Sequence, residues 1–244
     1  MVRLFLLTLI VLLATSSAYA DVNRDLRLAA SYQAVHAQGV IRSADITLVG
    51  ITSLFSHKET SAINDLIIHN SLNRHVERVS GLNAVFTTDA NGNLRHDSFR
   101  YPTRILNLKD RAYINNALKL TDNGLYIGAP IKNAIVAYDS LPLSRPIFNE
   151  QGHITGVGVG IMTPDHLLQR TKICKKCVVS IFKKNGDKIV SFPAALQAQP
   201  DIVQFMQDYP GDTVVDLAIH NLPTRTIWTK IEGYDLVLLY SYFK

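Results

Sequence analysis

The chain has 244 residues, 47% of them hydrophobic and 18% charged, with a formal charge of +5 and two cysteines. Its length and apolar content suit one large packed domain or two small ones. The basic residues are spread along the sequence, so there is no nucleic-acid footprint, and one cysteine pair falls short of the four ligands of a structural zinc centre.

The first element is MVRLFLLTLIVLLATSSAYA at 1–20: basic Arg3, an apolar run from Leu4 to Ala14, and the small-x-small sequence Ala18-Tyr19-Ala20. This is read as a secretory signal peptide cleaved after Ala20, which places the mature chain in the periplasm. The apolar run is shorter than the roughly 20 residues a helix needs to cross the hydrocarbon layer, so a retained membrane anchor is the less favoured alternative.

Residues 21–55 contain no proline, and apolar residues recur at spacings of three and four, among them Leu26, Ala30, Ala34, Ala37, Ile41, Ala44, Leu48 and Ile51. One long amphipathic helix is expected there, tolerating Gly39 and Gly50 at some cost and running along the outside of the later elements. A second helix is expected over 59–79, stopped by Ser80-Gly81.

The pattern then changes to strands. The run at 84–88 leads into Asp89-Ala90-Asn91-Gly92, a tight-turn signal that returns the chain through Leu94. Short apolar runs occupy 125–127, 135–138 and 154–162, with a proline-punctuated stretch up to Phe148 and a short helix from Thr163-Pro164-Asp165 to Leu168. A smaller version comes next: strands at 178–182 and 188–192 around Asn185-Gly186, a helix at 200–209, and closing strands at 213–219, 225–231 and 236–242. The two Asn-Gly phrases point to an internal duplication. The expected division is a signal peptide at 1–20, a helical region at 21–80, a first sheet module at 81–170 and a smaller second module at 171–244.

Between the modules lies Cys174-Lys175-Lys176-Cys177. In an exported chain an oxidised pair is the simplest reading, with free or exchanging thiols as the alternative. A thioredoxin-like site would need a helix after the first cysteine, whereas a β-rich run comes at once.

Four phrases together resemble the double Cache sensor domains, the PAS-like extracytoplasmic regions of bacterial chemoreceptors, histidine kinases and diguanylate cyclases. They are Leu108-Lys109-Asp110-Arg111-Ala112-Tyr113, Gly124-Leu125-Tyr126-Ile127-Gly128-Ala129-Pro130, Leu141-Pro142-Leu143-Ser144-Arg145-Pro146, and the glycine-alternating run from Gly152 to Ile161. The resemblance implies an α+β fold, a long N-terminal helix packed along two PAS-like antiparallel-sheet modules. It implies a membrane-distal module that holds a small ligand and a membrane-bound partner that receives the signal. The sequence closes at Tyr242-Phe243-Lys244, where the family's second membrane span would begin, so a free-standing sensory module is expected.

In that family the arginine of the first phrase faces the ligand. The resemblance therefore implies Arg111 as a carboxylate anchor, its planar fork at the rim of a hollow, with Tyr113, Tyr126, Tyr138, Asp139 and Ser140 as lining. From the residues alone, Arg111 pairs with Asp110 or Asp122, and the tyrosines are half-buried sheet residues. Amino-acid-binding members carry an acidic residue where this chain has Gly160, and a second aromatic where it has Ile114. A carboxylate or other small anion is thus expected in preference to a free amino acid.

No HExxH, GxSxG or phosphate-loop pattern is present, and the eight histidines form no metal or catalytic spacing, so neither an enzyme nor a cofactor or metal is expected. The reading favours a periplasmic sensory protein that recognises a small molecule and regulates a membrane-bound sensor kinase, cyclase or receptor. The alternative is a ligand-free protein-interaction module whose long helix pairs with a second copy in a homodimer.

Overall fold

The computed structural model describes residues 2–56, 64–132, 139–194, 200–219 and 221–244, with side chains from residue 22 onward. Helix α1 runs without interruption over Val2–Phe55. Its expected apolar stripe is the buried one: Leu26, Ala30, Ala34, Ala37, Ile41, Ala44, Leu48 and Ile51 are all 6% exposed or less. Among the described residues, no helix is long and apolar enough to cross a membrane. Helix α2, Asp65–Arg78, starts where Asn64 Oδ1 accepts from the backbone N–H of Leu66 at 2.8 Å, an N-cap that satisfies an otherwise orphan donor. The earlier start expected at Glu59 lies outside the described residues.

The chain divides into two compact units, one made of Met1–His36 with Leu168–Lys244, the other of Ala37–Leu167. The residues expected to form a helical region of their own are thus shared between the units. A helix cannot bury its stripe alone and belongs with whatever it packs against.

In the larger unit, β1 (Leu82–Asp89), β2 (Leu94–Asp97), β3 (Tyr126–Ile127), β5 (Asp139–Phe148) and β6 (Ile154–Met162) form an antiparallel sheet in the order β2-β1-β6-β5-β3, and β4 (Ile131–Lys132) also pairs with β5. The alternating glycines of β6 set the side on which α1 packs. A Cβ on Gly158 would stand 2.8 Å from Thr52 Cγ2, and one on Gly160 would stand 3.1 Å from Leu82 and 3.7 Å from Leu48. The intervening Val157 and Val159 therefore face the other way, into a cluster with Phe86, Tyr113, Ile114 and Ala117. Short helix α3, Ala112–Ala117, covers that second face.

The proline-punctuated stretch is a regular ten-residue strand. Pro142 O accepts from Gly128 N at 2.8 Å, so the ring nitrogens of Pro142 and Pro146 point toward the side of β5 where, among the described residues, only the two-residue β3 and β4 pair. The ladder to β6 loses no donor, which is the position in which a sheet tolerates proline. The expected strand at 135–138 lies outside the described residues, and the expected short helix near 163–168 is a 3₁₀ turn, Pro164–Leu167.

The smaller unit repeats the plan with β7 (Cys177–Lys183), β8 (Lys188–Phe192), β9 (Val215–Ile219), β10 (Leu222–Ile231) and β11 (Leu236–Phe243) in the order β8-β7-β11-β10-β9. Helix α4, Ile202–Asp208, is capped by Asp201, whose carboxylate accepts from Val203 and Gln204. It packs Ile202 and Phe205 against Phe182, Trp228, Val237 and Leu239. Within this unit Gln33 of α1 exchanges two hydrogen bonds with the backbone of Gln169, at 3.0 and 2.9 Å. Cys174 and Cys177 form the expected disulfide just before β7.

Candidate functional site

The α3 face of the larger sheet gathers several of the residues singled out in the sequence. The turn before α3 is built by Asn107, whose carboxamide accepts from Lys109 N at 3.0 Å and donates to Asn93 Oδ1 at 2.7 Å. Arg111 is the N-cap of α3, with extended backbone at φ −74°, ψ 126° and no side-chain cap bond. Tyr113, Ile114 and Ala117 point inward. The Tyr113 ring meets Phe86 edge to face, with centroids 6.5 Å apart. Burial pushes its phenol above the usual range, while the charge of Arg111 pulls it back.

Tyr126 stands on β3 directly opposite Ser144 of β5, and its hydroxyl accepts from Asn116 Nδ2 of α3 at 2.8 Å. Ser140, 8% exposed, lies on the same face of β5 as Ser144, four residues earlier. The structure thus brings Tyr113, Tyr126 and Ser140 to one side of one sheet.

Other expectations meet a different outcome. Asp139 is exposed at the start of β5, opposite Lys132, and Tyr138 lies outside the described residues. Arg111, at the N-cap of α3, is exposed and not buried at a rim. The plainer expectation for Arg111 is not met either. Among the described residues no ion pair joins it to Asp110 or Asp122, and the Asp122 carboxylate instead accepts from Gly124 N at 3.1 Å. Gly160, the position that the resemblance compares with an acid of amino-acid-binding members, faces α1 and not α3.

Two residues of this face were missed. Ser144 is fully buried and Thr88 is 2% exposed, and neither hydroxyl has a hydrogen-bond partner among the described residues. Their strand partners, Val159 and Val157, place both on the α3 side of the sheet. The alternation Ser140, Pro142, Ser144 would have revealed Ser144 had 139–148 been read as a strand. Among the described residues of this face, no nucleophile stands with a base beside it. It offers apolar walls, two tyrosines and two buried hydroxyls, which suits binding better than bond breaking.

No family model and no curated protein matches the sequence. Solved structures do. The extracellular domain of the histidine kinase rpHK1S-Z16 superposes with a TM-score of 0.79 at 19% identity, covering 93% of this chain and 96% of that one. The ligand-binding domain of the Campylobacter jejuni chemoreceptor Tlp3, in complex with L-norvaline, gives 0.68 at 13% identity, covering 93% and 92%. That of the Pseudomonas aeruginosa PAO1 amino acid chemoreceptor PctC, in complex with GABA, gives 0.64 at 15% identity, covering 92% and 100%. All three are sensory domains and none is catalytic. With its long helix and two PAS-like antiparallel sheets, this chain has the double Cache fold of extracytoplasmic sensor domains.

Proposed function

We propose that the chain is a non-enzymatic periplasmic sensory module, exported by residues 1–20, that binds a small carboxylate on the α3 face of its larger sheet and regulates a membrane-bound kinase, cyclase or receptor. The observation that carries this reading is the pair of buried hydroxyls, Ser144 and Thr88, with no partner on that face among the described residues. An unsatisfied buried polar group costs about 1–3 kcal/mol, and a ligand atom that pairs with it recovers that cost. The relatives of this fold bind L-norvaline and GABA, both of which carry a carboxylate. In this reading Arg111 meets the carboxylate from the solvent side, and Tyr113, Tyr126 and Ser140 complete the lining; the expected Asp139 leaves β5 on the opposite face, and Tyr138 lies outside the described residues. A thermal-shift screen with small carboxylates tests it: a binder raises the melting temperature, and Arg111→Ala removes the rise. Ser144→Ala leaves the ligand-free melting temperature unchanged or higher while weakening the binder. If no carboxylate in a broad panel shifts the melting temperature, the reading fails.

A second reading, a homodimer through α1, is favoured by a separate observation. Leu28, Tyr32, Val35, Ile46 and Val49 are 39–63% exposed and recur at coiled-coil spacing on the side of α1 away from its buried stripe.

A further inference from the structure

We propose that the larger unit carries a second ligand site, a polar cleft along the outer edge of β2 that takes a neutral polyhydroxylated molecule, a mono- or disaccharide. The cleft measures about 620 Å³ and is lined by the end of β1, β2 and the loop at 101–107. That volume is within the range of small-molecule sites. None of Arg111, Tyr113, Tyr126 or Ser144 lines it.

The arginines of the cleft already stand beside carboxylates. Arg104 pairs at 3.1 Å with Asp97, which is 2% exposed; Arg95 lies in the field of Asp89; His96 lies 3.9 Å from Asp65. An anion would meet the Asp65 carboxylate, which the hard-to-protonate imidazole of His96 does not neutralise. A neutral ligand would still find the remaining guanidinium N–H groups and the oxygens of Asp65, whose side chain is 74% exposed.

The polar floor is held in place before any ligand arrives. Asn107 Nδ2 donates to Asn93 Oδ1 at 2.7 Å, and Asn93 Nδ2 donates to Asp89 Oδ2 at 3.0 Å, so the amide planes are fixed. The rim is apolar: Tyr101, Ile105 and Leu106 are 46%, 107% and 43% exposed, a local concentration of carbon surface that no core explains. The Tyr101 ring is steadied 5.5 Å from His69, whose Nδ1 contacts the Asp97 carbonyl at 2.7 Å. A pyranose presents a C–H face that an aromatic ring covers, and an edge of hydroxyls that donate and accept in the plane of carboxylate, amide and guanidinium groups. The cleft offers both halves of that match.

Saturation-transfer NMR on the full chain with maltose, cellobiose and N,N′-diacetylchitobiose tests the proposal. Saturation of ring C–H protons by at least one of them, lost in Tyr101→Ala and reduced in Arg95→Ala, is the expected result. Both side chains are exposed, and retained melting of each variant verifies the fold. Arg111→Ala leaves the sugar signal intact, which keeps this site separate from the carboxylate reading. The proposal is overturned if none of the three sugars is saturated or if the signal survives both variants. It also fails if Arg111→Ala abolishes the signal, or if inorganic phosphate alone gives Arg95-dependent shifts.

Discussion

Arg145 reaches two elements at once. Its Nε and Nη2 donate to the two oxygens of Asp45 on α1 at 2.6 and 3.1 Å, while Nη1 donates to the Asn123 carbonyl and, at 3.3 Å, to its Oδ1. The loop after α3 is thereby tied to the long helix through one guanidinium. The two side chains of the pair are 11% and 17% exposed, so Asp45→Asn should cost about 2–3 kcal/mol, somewhat below the 3–5 kcal/mol of a fully buried pair. It should also raise amide exchange at 121–125, in a loop hydrogen-bonded to Arg145 and not to Asp45. Unchanged exchange there would show that the clamp transmits nothing.

His96 makes a second prediction at this scale. Burial holds its imidazole below the usual histidine range; Asp65 pulls it up and Arg95 pushes it further down. A histidine that is harder to protonate when folded contributes stability that is complete above its unfolded value, near 6.5, and is lost as pH falls through the folded value. The ring stacks on Phe55, the last residue of α1, at 4.9 Å. His96→Gln should flatten the fall in melting temperature between neutral pH and about pH 5, and an unaltered profile would assign that fall to other groups.

Among the elements, α1 was the most readable, because its buried positions repeat with helical period and no proline interrupts them. The exposed side of the same helix carries a prediction of its own. If it pairs with another copy, Ile46→Glu should turn a dimer into a monomer in sedimentation equilibrium with helicity unchanged. A monomeric wild type would remove that role. Strand β5 was not readable as a strand, since Pro142 and Pro146 signal a break unless the neighbouring strands are known. What rescues them is that their missing donors fall on the thinly paired side of β5. Arg111, expected at a buried rim, is the exposed N-cap of α3, and a residue's exposure at a cap is a matter of tertiary packing that composition does not express.

For the molecule as a whole, turn chemistry and periodicity carried the plan: Asn91-Gly92 and Asn185-Gly186 mark matching hairpins, and both Gly92 and Gly186 adopt positive φ, at 80° and 97°. These are local signals, written in consecutive residues, so the sequence by itself determined the long helix, the two antiparallel sheets and the disulfide between nearby cysteines. The functional surfaces are of another kind. Ser144 and Thr88 share a face across three strands, Arg145 meets Asp45 a hundred positions away, and the β2 cleft joins Asp65 to Asn107. Only the tertiary structure decided these, because each depends on strand register and on which face of a strand or helix a side chain leaves. A shift of one residue in register would reverse every such assignment without changing the apolar pattern that builds the sheet.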